Sequence, residues 1–224
     1  MAYRRTERVI RQQQQRHDAI VVAAEEAASD GGMAAIQIAP VAARAGIAAG
    51  TVYRYFPGKT ELVGALVESV AEREIAAVSR AAQAAPGPLS ALAAAITTFA
   101  ARALRDRKLA WAMLAEPVDA EIDAMRLAYR RGLAQQFEAL LKAAIAGGPL
   151  PELDAALAAP ALVGSLLEGL IGPLAPELAD DPIKAREAVQ MLALFALRGL
   201  GVIDARARGL VVQAVIPPGS SASS

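Results

Sequence analysis

"AGIAAGTVYRYFPGK", residues 45–59, is the stretch on which the reading of this chain turns. Gly46 separates two short helical pieces, and Pro57-Gly58 closes the second. That second piece carries Tyr53, Tyr55 and Phe56 around Arg54, although the 224-residue chain has only four Tyr, four Phe and one Trp. Core aromatics on a helix recur every three or four residues, so a run this tight cannot face one way. Val52 and Phe56 are four apart and point inward together with Ile47 and with Val41, Ala42 and Ala45 of the preceding piece. Gly50, Thr51, Arg54 and Tyr55 are expected on the opposite side, with Tyr53 on the flank.

Two short helices joined by a glycine-containing turn, the second with a polar outward face, form the plan of a helix-turn-helix reader of the DNA major groove. Hydroxyls and a guanidinium on that face can reach phosphates and base edges, and Gly50 lets the backbone come close. Lys59 adds an independent argument. A cation in the first turn of a helix opposes the helix dipole by a few tenths of a kcal/mol. A phosphate at that terminus reverses the sign. A solvated surface lysine is the plainer alternative.

Composition supports a helical body behind this stretch. Hydrophobic residues make up 55 % of the chain, much of it alanine, the best helix former, and period-2 alternation is scarce. The fold expected is all-α: an N-terminal three-helix helix-turn-helix domain joined to a larger helical domain. There are no cysteines, which removes disulfides and thiolate sites and fits a reducing cytoplasm. The net charge is zero, yet residues 1–60 hold eight Lys/Arg against five acids and the rest holds fifteen against eighteen. A polyanionic partner for the N-terminal end explains that split, although a difference of this size is common by chance. "ALVGSLLEGLIGPLAP" (161–176) is the most apolar stretch, and it is too short to span a bilayer.

Residues 1–10 read as a flexible basic arm. A helix is expected from Arg11 to Ser29, stopped by Asp30-Gly31-Gly32, then short helices at 38–45 and 49–55 and a long one from Lys59 to the "PGP" at 86–88. Further helices are expected at 89–106, 108–116, 119–146, 154–172 and 182–200. The domains expected are therefore 11–66 for DNA binding (motif 37–56), 67–208 for the larger body, and 209–224 for a tail ending in "PPGSSASS". His17, the lone histidine, is assigned to a helix surface or core edge.

"VAARAGIAAGTVYRYFPGKTELVGAL" (41–66) resembles the N-terminal domain of TetR-type transcriptional regulators. The resemblance is carried by Val41, Ala42, Ala45, Gly46, Ile47, Gly50, Thr51, Val52, Tyr53, Tyr55, Phe56, Lys59 and Leu62, and by "IVVAAEEAASDGG" upstream. It implies a ligand-responsive DNA-binding regulator, most simply a repressor, with Gly50, Thr51, Tyr53, Arg54, Tyr55 and Lys59 at double-stranded operator DNA. The family usually has a Ser or Thr capping each of the two short helices, where this chain has Gln37 and Ala48-Ala49. A missing cap costs about 1 kcal/mol.

The resemblance further implies that the larger part binds a small effector and forms a two-fold dimer through its last long helices, about 154–172 and 182–200. Both are apolar nearly all round, and Leu194 is taken as representative of that face. Phe99, Trp111, Met113, Met125, Tyr129 and Phe137 are the bulky residues among small neighbours and are the candidate lining of a pocket for a mostly apolar molecule. Aromatic and methionine residues at helical spacing are also what a plain core would show. No catalytic residue, cofactor or metal is expected, since a lone His and no Cys leave no constellation for enzyme chemistry. A helical carrier of apolar molecules without a DNA role is the alternative, and it leaves the Thr51–Lys59 stretch idle.

Overall fold

The computed structural model describes residues 2–177 and 181–213; of the expected tail, residues 214–224 lie outside the described residues. Those described form ten helices and no strand: α1 Ala2–Ala35, α2 Ile38–Arg44, α3 Ala49–Tyr55, α4 Lys59–Gln83, α5 Pro88–Arg105, α6 Arg107–Leu114, α7 Ala120–Ala146, α8 Ala155–Leu170, α9 Pro182–Gly199 and α10 Asp204–Gln213. The fold is all-α, as the composition and the breakers require.

Two boundaries differ from expectation. The helix α1 takes in residues 2–10, which were expected as a loose arm. Arg, Glu and Gln are good helix formers, no Gly or Pro interrupts the stretch, and Glu7 and Arg11 pair at 3.9 Å one turn apart. At the other end, residues 209–213 belong to α10 and not to a tail. That helix was missed because its inward stripe is thin, with only Ala207 and Val211 buried.

The glycine breaks fall where turn chemistry puts them. Gly46 has φ +66°, and the N–H groups of Gly46 and Ile47 return to the Ala43 and Ala42 carbonyls at 3.2 and 3.0 Å. This is the left-handed C-terminal cap that only glycine adopts without strain. In α1, Gly31 and Gly32 leave helical geometry, with Gly32 at φ +70°, so the chain bends before Met33.

The helix α4 joins the two parts. Its i, i+4 row Leu62, Leu66, Val70, Glu74, Val78 and Ala82 runs from head to body, and every member but Glu74 is buried and apolar. Twenty-five residues at 1.5 Å each make a strut of about 37 Å. Its upper end packs with Ile20 and Ala24 of α1, Val41 of α2 and Val52 of α3; its lower end enters a core built around Ile96, Leu133, Phe137 and Leu166. No described helix is long and apolar enough to cross a membrane.

Candidate nucleic-acid interface and adjoining cavity

On α3 the division between inward and outward residues is sharp. Val52 is fully buried and Phe56 is 4 % exposed, whereas Tyr53 is 53 % exposed and Arg54 and Gly50 are exposed. Thr51 is half-buried. A Cβ added at Gly50 would meet nothing within 4 Å, so the backbone there is open to an incoming surface. Phe56 is held against the His17 ring of α1, with centroids 4.9 Å apart, which places His17 at the core edge.

Tyr55 is a correction. It is half-buried and packs against the core instead of standing outward beside Arg54. At about 100° per residue, three steps from Val52 bring Tyr55 back to within about 60° of the buried face. The free face of α3 is therefore Gly50, Thr51, Tyr53 and Arg54. Neither Gln37 nor Ala48 gives a side-chain cap to α2 or α3, as their chemistry dictates.

Lys59 has a partner within the protein. Its half-buried ammonium donates to the Met33 carbonyl at 3.3 Å and ties the start of α4 to the chain leaving α1. The sequence gave no sign of this, because it depends on where the bend at Gly31-Gly32 delivers that carbonyl.

Behind the head lies a cavity of about 130 Å³ between α1, α4, α5, α6 and α7. Phe99, Met113 and Tyr129 line it together. The other candidates lie elsewhere. Phe137 is wholly buried in the core, Trp111 is half-buried on α6 away from that lining, and Met125 borders a separate open groove between α4 and α7 with Gly64 and Tyr129.

Sequence reading missed the charged rim of this cavity. Arg73 clasps Glu25 of α1 through two hydrogen bonds of 2.7 and 2.9 Å, and Glu74 accepts from Arg73 at 3.3 Å and from both nitrogens of Arg102 on α5. Burial alone would raise the Glu74 carboxyl; the hydrogen bonds and charge of Arg102, then of Arg73, outweigh it and hold the group below its usual range. The signal was present, since Glu74 occupies an apolar row between Val70 and Val78. A carboxylate there must find cations.

The wall helix α6 is fastened to the end of α1 at both of its ends. At the first, Ser29 Oγ donates to Asp106 at 2.5 Å and Lys108 Nζ to the Asp30 carbonyl at 3.1 Å. Beyond the second, Glu116 accepts the Met33 N–H at 2.9 Å, and the buried Arg126 holds the Ala112 and Glu116 carbonyls. Movement of α6 is thereby passed to the chain that enters the reading head.

The helices α8 and α9 leave an apolar face uncovered. Leu157 is 70 % exposed, Met191 65 % and Phe195 62 %, with Ala161 and Gly164 exposed beside them. Leu194 does not belong to that face. It is buried against its own chain's core, because the outward row on α9 runs through Met191 and Phe195.

Residues 20–66 match the family described as bacterial regulatory proteins, tetR family. No curated protein matches the chain. Among solved structures, SmeT bound to triclosan is 25 % identical at a TM-score of 0.69, covering 91 % of this chain and 98 % of that one. SmeT is described as the repressor of the Stenotrophomonas maltophilia multidrug efflux pump SmeDEF. The fatty acid degradation regulator FadR from Bacillus halodurans superposes at a TM-score of 0.70 with 23 % identity, covering 82 % of this chain and 98 % of that one. RolR in complex with resorcinol covers 94 % of this chain and 100 % of its own at 22 % identity and a TM-score of 0.66. With the three-helix head, its glycine turn and the helical body already described, these likenesses assign the chain to the tetR family of bacterial regulatory proteins.

Proposed function

We propose that this regulator is a repressor that grips its operator as a homodimer and is released by a small, mostly apolar molecule bound behind the reading head. The observation that carries the reading is the free face of α3: Thr51, Tyr53 and Arg54 project from a helix anchored by buried Val52 and Phe56, and nothing in the chain's own packing uses Tyr53 or Arg54. Gly50 is proposed at the same surface. Tyr55 and Lys59 support it from within, by packing and through Met33, and their side chains reach phosphates only after the head shifts against DNA. For Lys59 that exchange is small, since a single hydrogen bond to a carbonyl is given up for a charged partner.

Dimerisation is proposed through the uncovered apolar face of α8 and α9, since contiguous apolar surface of this kind marks an interaction site. Two heads related by a two-fold axis meet half-sites about 34–36 Å apart. A ligand in the cavity favours a state in which α6 and the bend before Met33 are displaced, and the heads are then spaced wrongly. RolR and SmeT were solved with resorcinol and triclosan, which lends support to a small-molecule effector here.

The test is a gel shift on the DNA flanking the protein's own gene. A dimer making six or more phosphate contacts loses roughly a thousandfold in affinity between about 50 and 200 mM salt. Binding that ignores salt, or no binding to any duplex, would remove the DNA role and leave a helical carrier of apolar molecules.

A further inference from the structure

The cavity behind the head has a size and a polar inventory that together narrow its ligand. We propose, building on the regulator reading above, that its effector is a small neutral phenol, one aromatic ring whose hydroxyl pairs with the buried hydroxyl of Tyr129.

Size comes first. The cavity measures about 130 Å³, and an apolar protein cavity of about 150 Å³ holds benzene. One six-membered ring fits, and two fused rings do not. The inner walls are Val70, Phe99, Leu109, Met113 and Leu114, which offer a ring both aromatic edges and a thioether.

Polarity comes second. Tyr129 is 4 % exposed, and its hydroxyl has no hydrogen-bond partner among the described residues. A buried hydroxyl left unmatched is costly. Burial first, and then the neighbouring Glu74 carboxylate, push its titration upward, so it remains an O–H that can both give and accept a hydrogen bond. A ligand hydroxyl is its natural complement.

Charge decides between neutral and ionic ligands. The rim carries Arg73, Arg102 and Arg105 against Glu25, Glu74 and Asp106, so it is balanced. Arg73 and Arg102 are already bound to carboxylates. An anion would have to break one of those pairs and strand a carboxylate at the edge of an apolar cavity, which costs more than it returns. A cation meets the same obstacle with the signs reversed.

The experiment is isothermal titration of the full-length protein with phenol, toluene, benzoate and 2-naphthol, repeated on Tyr129→Phe. Phenol should bind tightest, toluene more weakly, and benzoate and 2-naphthol weakest. Tyr129→Phe should weaken phenol by about tenfold and leave toluene unchanged, since one hydrogen bond is lost and no volume is added. The variant removes a hydroxyl that has no partner in the free protein, so its thermal midpoint should not fall. Filling the cavity with Ala110→Leu should abolish both phenol and toluene binding. Benzoate binding tighter than phenol, or equal phenol affinity in Tyr129→Phe, would overturn the proposal. Salt-dependent operator binding with no affinity for any of the four probes would overturn the phenol assignment alone and leave the regulator reading intact.

Discussion

The Glu116 carboxylate accepts the Met33 N–H at 2.9 Å, joining the end of the cavity wall to the first residue past the bend in α1. A Cβ on Gly32 would come within 2.7 Å of the same carboxylate, so the contact is close as well as direct. Lys59 holds the other side of that peptide through the Met33 carbonyl. Head, strut and cavity wall thus meet at one residue. Glu116→Ala should cost about 1.5–3 kcal/mol of stability, the range for a hydrogen bond to a charged group. It should also bring the factor by which phenol weakens operator binding close to one. Gel shifts with and without phenol check this, and an unchanged factor would show that coupling runs by another route.

Glu74 makes the rim sensitive to acid. Its carboxyl is held below the ordinary value of 4.5 in the folded protein, so it binds protons less readily folded than unfolded. The resulting stabilisation is fully present above pH 4.5 and is lost as pH falls through the lowered folded value. Glu74→Gln removes that term. Urea midpoints of the wild type should therefore fall more steeply than those of Glu74→Gln once pH drops below 4.5. Parallel curves would mean that the Arg102 pair contributes nothing on balance.

The head was legible from sequence because its determinants are local. Gly46 needs a positive φ, Pro57-Gly58 cannot continue a helix, and Val52 and Phe56 are one turn apart, so each boundary of α2 and α3 is written within a few residues of itself. Tyr55 was misplaced through angular arithmetic alone. The cavity was only half legible, since which faces of α5, α6 and α7 meet is set by packing across distant segments. That is why Phe99, Met113 and Tyr129 converge while Trp111, Met125 and Phe137 part from them. Glu74 was readable as an exception in an apolar row; the positions of Arg102 and Glu25 opposite it were not.

The body and the head differ in how their helices begin. Asp106, Asp119, Asp154 and Asp181 each accept backbone N–H groups at the starts of α6 to α9, whereas α2, α3 and α4 have no side-chain cap. Ala48 already holds the extended geometry of a capping residue, with φ −71° and ψ 145°. Ala48→Ser should therefore stabilise α3 by about 1 kcal/mol. Amide exchange of the head should slow in that variant, while exchange in α7 stays as it was.

Arg54 and Tyr53 share the free face of α3 but should fail in different ways. An arginine can engage guanine O6 and N7 together, a contact worth about 1–3 kcal/mol of discrimination. Arg54→Ala should narrow the gap between the best operator and its single-base variants. Tyr53→Phe removes one hydroxyl from a 53 % exposed ring and should weaken all sequences by a similar factor. A panel of point-substituted operators separates the two, and uniform losses from both changes would take base reading away from Arg54.

The outward and inward rows of α9 give a paired test of dimerisation. Phe195 is 62 % exposed and Met191 65 % exposed, one turn apart, while Leu194 between them is 7 % exposed. A charge at Phe195 meets water in the monomer and an apolar partner surface in the dimer. Phe195→Glu should thus leave the thermal unfolding of a monomer cooperative and shift sedimentation to the monomer mass. It should weaken binding to a palindromic operator much more than binding to a half-site, because the second head no longer arrives with the first. Leu194→Glu puts the same charge into the chain's own core, where burying an unpaired carboxylate is expensive, so it should unfold the body and not merely separate the copies. If Phe195→Glu remains a dimer with full operator affinity, the face formed by α8 and α9 is not the two-fold interface, and the spacing of the heads has to be set elsewhere.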